Sequence, residues 1–364
     1  MRRLEARWLR RPAGLGACAT DMEMTLVNRR SILLGAGAAL TLPLTARAQA
    51  AQITGAGASF PNPIYQKWAE AAVSAINIRL NYQSVGSGAG INQIRNRTVD
   101  FGATDAPLNQ QQLTEGNLMQ FPTVMGSVVP IINVPGVEPN ALKLTGEQLA
   151  DIFLGKITRW NDPRLVEANR GVNLPSLAIA PVYRADGSGT TFVFTSYLSA
   201  VSPEWRERVG AATSVRWPVG NGARGNEGVA GGVRNTRGGI GYVENAYAQV
   251  NRLTTTQLRN KAGNFVSPTH ESFVAAAANA DWSVPGFAAN IIDQHGATSW
   301  PIVSPTWILI PTNPTDTTRS ANVRRFFDWA FTHGDAMAQE LEYIPLPQAT
   351  KDAVRAAWNR QFGA

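Results

Sequence analysis

Residues 183–194, YRADGSGTTFVF, bring a guanidinium, a carboxylate and a Ser-Gly-Thr group together within residues 184–190. Upstream, LAIAPVY (177–183) is short and apolar like a buried strand; downstream, TFVFTSYL has the apolar spacing of a helix start. The turn between them joins a strand to a helix. At such a junction Ser188, Gly189 and Thr190 present backbone N–H groups and hydroxyls at the positive end of a helix, and Arg184 adds a full charge. That combination holds an anion. Glycine-rich turns with a hydroxyl cap also serve α/β proteins purely as turns, so this one alone leaves both readings open. Sharper motifs are absent: no Lys follows the glycines as G-x-x-x-x-G-K-[ST] requires, there is no G-x-G-x-x-G, and no G-x-S-x-G elbow surrounds Ser188. What remains is an anion smaller than a nucleotide.

Other small-residue turns repeat the chemistry. GAGASF places Ser59 and Phe60 at a helix start, VGSGAG places Ser87 and Gly88 at another, and GATDAP puts Asp105 at the end of a strand. In open α/β sheets ligands lie outside the carboxyl ends of strands. Turns converging there form a cavity of dipoles and hydroxyls suited to one dehydrated tetrahedral anion.

The elements that must position these turns alternate along the chain, strand-like runs with helix-like segments, the pattern of an α/β fold with mainly parallel sheets. PNPIYQKWAEAAVSAI predicts a helix with Ile64, Trp68 and Ala72 on one face. LTGEQLADIFLGK predicts another, with Thr145 as cap, Gln148 as its capping-box partner and Gly155 as the stop. SPEWRERVG repeats the logic with Ser202 and Pro203, and RGGIGYVENAYA reads as a strand at 241–243 running into a short helix. Two long apolar runs, at about 126–134 and 302–310, fit either crossovers between two lobes or central strands of one sheet.

At 364 residues the chain has room for two domains. Its net charge of +7 is concentrated at the start: residues 1–48 hold eight Lys or Arg against three acids, leaving 25 against 23 in the rest. That near-balance removes the main support for nucleic-acid binding. VNRRSILLGAGAALTLPLTARAQA (27–50) reads as an export signal, with Arg29 and Arg30, an apolar stretch from Ile32 to about Leu44 and small residues suiting cleavage after Ala48 or Ala50. The Sec and Tat routes both fit. The Arg-rich residues ahead of it point to Met22 or Met24 as the true start, and the single cysteine, Cys18, falls in that leading stretch. A mature chain without cysteine has no disulfide and no thiolate metal site. His270, His295 and His333 lack ligand spacing, so neither a metal nor a cofactor is implied.

In order along the chain, GAGASFPNPIYQKWA, VGSGAGINQI, VDFGATDAPL, LGKITRWNDP, RADGSGTTFVFTSYL, GNEGVAG and GGIGYVE resemble the phosphate-binding proteins of high-affinity phosphate ABC importers, from about Ile53 to Phe362. The resemblance implies an α/β, two-lobed periplasmic-binding-protein fold of type II-like topology, each lobe a mainly parallel sheet flanked by helices, with a two-crossover hinge. It implies residues 49–126 plus 303–364 as one lobe and 127–302 as the other. The residues matching the family's phosphate ligands are Ser59, Phe60, Ser87, Asp105, Arg184, Ser188, Gly189 and Thr190. The implied partners are inorganic phosphate and an inner-membrane ABC permease with cytoplasmic ATPase subunits, and the implied protein is a periplasmic monomer that is not an enzyme.

Residue chemistry sharpens two of these roles. Asp186 either orients and partly neutralises Arg184 or is a turn residue of the Asp-Gly dipeptide. Asp105 is an acceptor for an anion that brings a proton, as phosphate does and sulfate does not; its alternative is as a helix N-cap ahead of APLNQQQL. A secreted phosphomonoesterase on the same fold, or a receptor for another oxyanion, are the competing functions. Hydrolysis would want a metal cluster or an activated nucleophile, and the sequence offers no base beside Ser87 or Ser188.

Overall fold

The computed structural model describes residues 49–363. The export-signal reading of residues 1–48, the starts at Met22 and Met24 and Cys18 lie outside the described residues.

Strand and helix alternate as the sequence pattern predicts, and ten strands join in one sheet. From one edge the order is Ile78–Ser84, Ala51–Gly57, Phe101–Thr104, Val303–Pro311, Leu118–Asn133, Gly239–Glu244, Ala180–Arg184 and Asn221–Ala223, with Ile344–Pro345 and Thr254–Thr255 also pairing to Leu118–Asn133. The first three strands pair in parallel, as do the last three. The pairs at the centre are antiparallel, because there the chain passes from one parallel block to the other and returns. Both long apolar runs lie at this passage, and their strands are buried almost throughout, as strands covered on both faces are.

Leu118–Asn133 is 16 residues long and changes partner midway. Residues 118–127 pair with Val303–Pro311, and residues 128–133 pair with Gly239–Glu244. The strand begins earlier than its apolar run suggests, since Gln120, Pro122 and Thr123 interrupt the pattern. Each is accommodated. Gln120 accepts from the Leu108 N–H and donates to the Gly286 carbonyl. Pro122, which cannot donate to a ladder, sits where the register slips beside Thr306 and Trp307.

The helices cover the sheet with the faces their sequences mark out. Ile64, Trp68 and Ala72 are buried on Asn62–Ile76. Gly146–Phe153 carries the expected capping box between Thr145 and Gln148, and Ser202 caps Pro203–Arg208. The strand at 241–243 extends by a few residues to Gly239–Glu244 and runs into the helix Asn245–Val250. Among the described residues no helix is long and apolar enough to cross a membrane.

Candidate functional site

Each predicted turn follows the carboxyl end of a parallel strand. Ser59 and Phe60 follow Ala51–Gly57, Ser87 opens the helix Ser87–Arg95 after Ile78–Ser84, and Asp105 follows Phe101–Thr104. From the other parallel block, Asp186 to Ser188 follow Ala180–Arg184 and lead into the helix Gly189–Val201. The helix after Ser59 and Phe60 begins slightly later than expected, at Asn62 behind Pro61, so these two residues form the turn itself. Ser59, Phe60, Ser87, Asp105, Arg184, Ser188, Gly189 and Thr190 are all buried.

Hydrogen bonds between the two blocks bring these turns together. Ser87 Oγ accepts from the Gly189 N–H at 3.0 Å and from the Asp105 N–H at 3.3 Å. The Gly88 N–H donates to the Gly187 carbonyl at 2.9 Å. Ser188 caps the helix Gly189–Val201, its Oγ accepting the Thr191 N–H at 3.0 Å. The backbones approach so closely that side chains are excluded. A Cβ on Gly86, whose φ is +93°, would stand 2.4 Å from Asp186 Oδ2, and one on Gly189 would stand 2.5 Å from both Asp105 Oδ2 and Ser87 Oγ.

Arg184 supplies the site's cation in a fixed pose. Asp186 accepts from Nε at 2.8 Å and from Nη2 at 2.6 Å, while Nη1 reaches Thr190 Oγ1 at 3.4 Å. Burial pushes the Asp186 carboxyl up, but Arg184 and the Gly225 N–H outweigh it and hold the carboxyl below the usual range. Burial works against the Arg184 charge, and Asp186 more than restores it. Asp186 is thus the partner that holds the guanidinium.

Asp105 sits opposite. Its Oδ1 accepts from Thr306 Oγ1 at 2.8 Å, whereas its buried Oδ2 has no hydrogen-bond partner. Burial pushes the carboxyl up to about 7, with Thr306 and Arg184 pulling it back. The capping alternative does not hold: Gln110–Gly116 is capped by Asn109, in a capping box with Gln112, because the chain runs through Pro107 before it turns helical.

Some residues of the site escaped sequence reasoning. Asn226 donates through Nδ2 to Ser59 Oγ at 2.9 Å and to Thr190 Oγ1 at 3.2 Å, and its Oδ1 accepts the Glu244 N–H. A signal for it existed, since it follows Gly225 in one more glycine-rich strand-to-helix turn. Thr306 is hidden in an apolar strand. Tyr242, whose hydroxyl lies 2.7 Å from Thr191 Oγ1 and accepts the Arg184 N–H at 3.2 Å, is equally unmarked.

The arrangement offers one cation already partnered, hydroxyls and helix-start N–H groups, and one carboxylate oxygen with no donor. Such a set suits a small tetrahedral oxyanion carrying a proton. Among the described residues no group of three or more His, Cys, Asp or Glu could hold a metal ion.

Comparison with known proteins agrees in detail with this reading of the fold. A model of the PBP superfamily domain matches residues 44–333. The chain is 49% identical over 322 residues to the phosphate-binding protein PstS of Pasteurella multocida, covering 88% of this chain and 93% of that protein. It is 47% identical over 324 residues to the phosphate-binding protein PstS of Haemophilus influenzae, covering 89% and 97%. The crystal structure of a phosphate-binding protein from Stenotrophomonas maltophilia superposes with a TM-score of 0.66 at 23% identity, over 84% of this chain and 94% of that one, which supports the fold. From this sequence identity over nearly the full length of the relatives, the chain belongs to the PstS family of phosphate-binding proteins, within the PBP superfamily.

Proposed function

We propose that this protein binds inorganic phosphate and delivers it to an ABC importer for uptake, without catalysis. The observation that carries the reading is the buried Asp105 Oδ2, an acceptor without a donor among hydroxyls, helix-start N–H groups and Arg184. Phosphate near neutral pH keeps at least one proton to give it; sulfate has none, and the acceptor would then stay unpaired. Ser59, Phe60, Ser87, Asp105, Arg184, Ser188, Gly189 and Thr190 are the proposed direct ligands, with Asp186 holding Arg184. The names of the close relatives support phosphate as the ligand.

The finer parts of the reading belong to the same proposal. Residues 49–126 with 303–364 form one lobe and residues 127–302 the other, hinged where Leu118–Asn133 changes partner and where the chain returns into Val303–Pro311. Closure is favoured by a ligand that both lobes contact. The protein is exported to the periplasm, acts as a monomer, and serves an inner-membrane permease with cytoplasmic ATPase subunits. Calorimetric titration of phosphate-stripped residues 49–364 with phosphate and with sulfate tests the core of this. Tight one-to-one phosphate binding with negligible sulfate heat is expected; no phosphate binding, or an equal response to both anions, refutes it.

A further inference from the structure

Beneath the Ser59–Phe60 turn, three buried tyrosines reach three consecutive carbonyls. Tyr82 donates to the Ala58 carbonyl at 2.6 Å, Tyr247 to that of Ser59 at 2.7 Å and Tyr343 to that of Phe60 at 2.6 Å. No peptide among the described residues is cis, and in a trans peptide the following N–H points opposite the carbonyl. Tyr82 and Tyr247 therefore fix the directions of the Ser59 and Phe60 N–H groups. Phe60 precedes Pro61, which has no N–H, so Tyr343 pins the exit of the turn.

Tyr343 has a second contact, to Glu244 Oε2 at 2.9 Å, an oxygen that also accepts the Ala246 N–H at 2.9 Å. A phenol has one proton to give. The Phe60 carbonyl can only accept, and its 2.6 Å contact requires that proton. The contact to Glu244 then needs a proton from the carboxyl side. We propose that Glu244 is a neutral carboxylic acid and a positioning residue: it donates to Tyr343 Oη, and the ordered chain Glu244 to Tyr343 to Phe60 holds the anion-binding turn in place. The role in binding rests on the phosphate reading above; the protonation does not.

The surroundings favour the neutral form. Glu244 is fully buried, its Oε1 has no hydrogen-bond partner, and the space against Gly126 is filled by the Phe60 ring and Oε1 itself. Burial pushes the carboxyl well above the usual range and Asp105 adds to the rise; the Ala246 and Asn245 N–H groups pull it down, and Tyr343 could do so only by giving up the Phe60 carbonyl. Glu244 and Tyr247 also interact, to the cost of either charge. Among the described residues no Lys or Arg forms a hydrogen bond or ion pair with Glu244, whose side-chain partners are Tyr343 and the Ala246 N–H. An ionised Glu244 would place a second uncompensated negative charge behind a turn that receives an anion.

Infrared spectroscopy of the ligand-free protein at mildly alkaline pH, where Asp105 is ionised, tests the protonation. The carbonyl stretch of a neutral carboxyl group is expected, and it should vanish in Glu244→Gln. Phosphate titration tests the positioning. Glu244→Gln, whose Nε2 can donate to Tyr343 Oη but cannot also accept the Ala246 N–H as Oε2 does, should weaken binding less than Glu244→Ala, while Glu244→Ala and Tyr343→Phe each weaken it by about tenfold and their combination by little more. Melting curves identify any variant that fails to fold, and the Gln variant and the spectrum then decide. An unchanged spectrum in Glu244→Gln overturns the neutral acid, and a Gln variant as weak as Ala overturns the proton-donor role. Failure of the parent protein to bind phosphate would instead refute the proposed function, with the infrared result still deciding the protonation.

Discussion

Asp186 grips Arg184 through both carboxylate oxygens, at 2.8 Å to Nε and 2.6 Å to Nη2, so the one cation of the site arrives already neutralised. At the proposed site, attraction at long range is therefore weak and affinity rests on short-range hydrogen bonds. Phosphate affinity should change by less than about threefold between low and physiological ionic strength, as followed by calorimetry. Arg184→Ala should weaken binding by about a hundredfold or more through the loss of charge-assisted bonds. A steep salt dependence would mean that the pair opens when the ligand enters.

Asp105 should govern the choice between oxyanions, and pH should modulate it. Above about 7 its carboxylate can only accept, so it rewards a protonated anion; below that value it holds a proton and can donate to sulfate. Sulfate competition against phosphate should therefore rise as pH falls through neutrality. In Asp105→Asn the amide can donate at every pH, so competition should be strong and flat across the same range. Competition titrations at acid, neutral and alkaline pH check both curves.

The same carboxyl has a consequence for stability without ligand. Its value rises from an ordinary 3.8 to about 7 in the fold, so between the two the unfolded chain has released the proton and the folded chain has not. Its contribution is full below 3.8 and lost by about 7. Ligand-free Asp105→Asn should accordingly melt higher than the parent above neutrality, by a gain on the order of 1–3 kcal/mol, with the advantage fading toward acid pH. Thermal melts of phosphate-stripped protein across this range give the answer.

Gly189 stands where a methyl group would collide with Asp105 Oδ2 and Ser87 Oγ, each at 2.5 Å. Gly189→Ala should hold the two blocks apart and cost more than about a hundredfold in phosphate affinity, while the ligand-free melting temperature stays near that of the parent. Gly231 is the control, since a Cβ there meets nothing within 4 Å and the residue lies inside the helix Gly225–Asn235. Gly231→Ala should leave affinity unchanged and raise stability by about 0.5–1 kcal/mol.

Asn226 links Ser59 of one block to Thr190 of the other. Asn226→Asp replaces a donor with a charge facing both hydroxyls and the incoming anion, and should weaken phosphate binding by about a hundredfold. Asn226→Ala should cost less, about tenfold, because the repulsion is absent. If the two variants bind equally, Asn226 is structural only.

The residues of the proposed anion site are legible because they announce themselves locally. Arg184, Ser188 and Gly189 fall in one turn between a strand and a helix, where backbone chemistry and sequence spacing coincide. Caps such as Thr145 and Ser202 were legible for the same reason. Thr306 and the tyrosines at 82, 242 and 247 act from strand and helix positions, and Tyr343 from the turn just ahead of Ile344–Pro345, and at each the local pattern says only that it is buried. Their roles depend on which distant backbone group lies opposite, and that is fixed by sheet order. The sequence pattern shortens the strand Leu118–Asn133 because Gln120, Pro122 and Thr123 break the apolar run, and they fit only through distant partners: Gln120 through Leu108 and Gly286, Thr123 through Tyr65, and Pro122 through the register slip beside Thr306. Asn226 was the avoidable omission: its turn has the same form as the others.

The place of Val303–Pro311 in the sheet also sets the order in which the chain can assemble. It lies between Phe101–Thr104 and Leu118–Asn133, separating strands that are near neighbours in sequence. The first parallel block therefore cannot complete its pairing until residue 311 is available, while the second is drawn from one continuous stretch and can finish alone. A chain emerging amino end first has its central portion settled while the opening strands still wait for the closing ones. Of the proposed anion site, Asp105 gains its Thr306 partner only when that last strand has arrived.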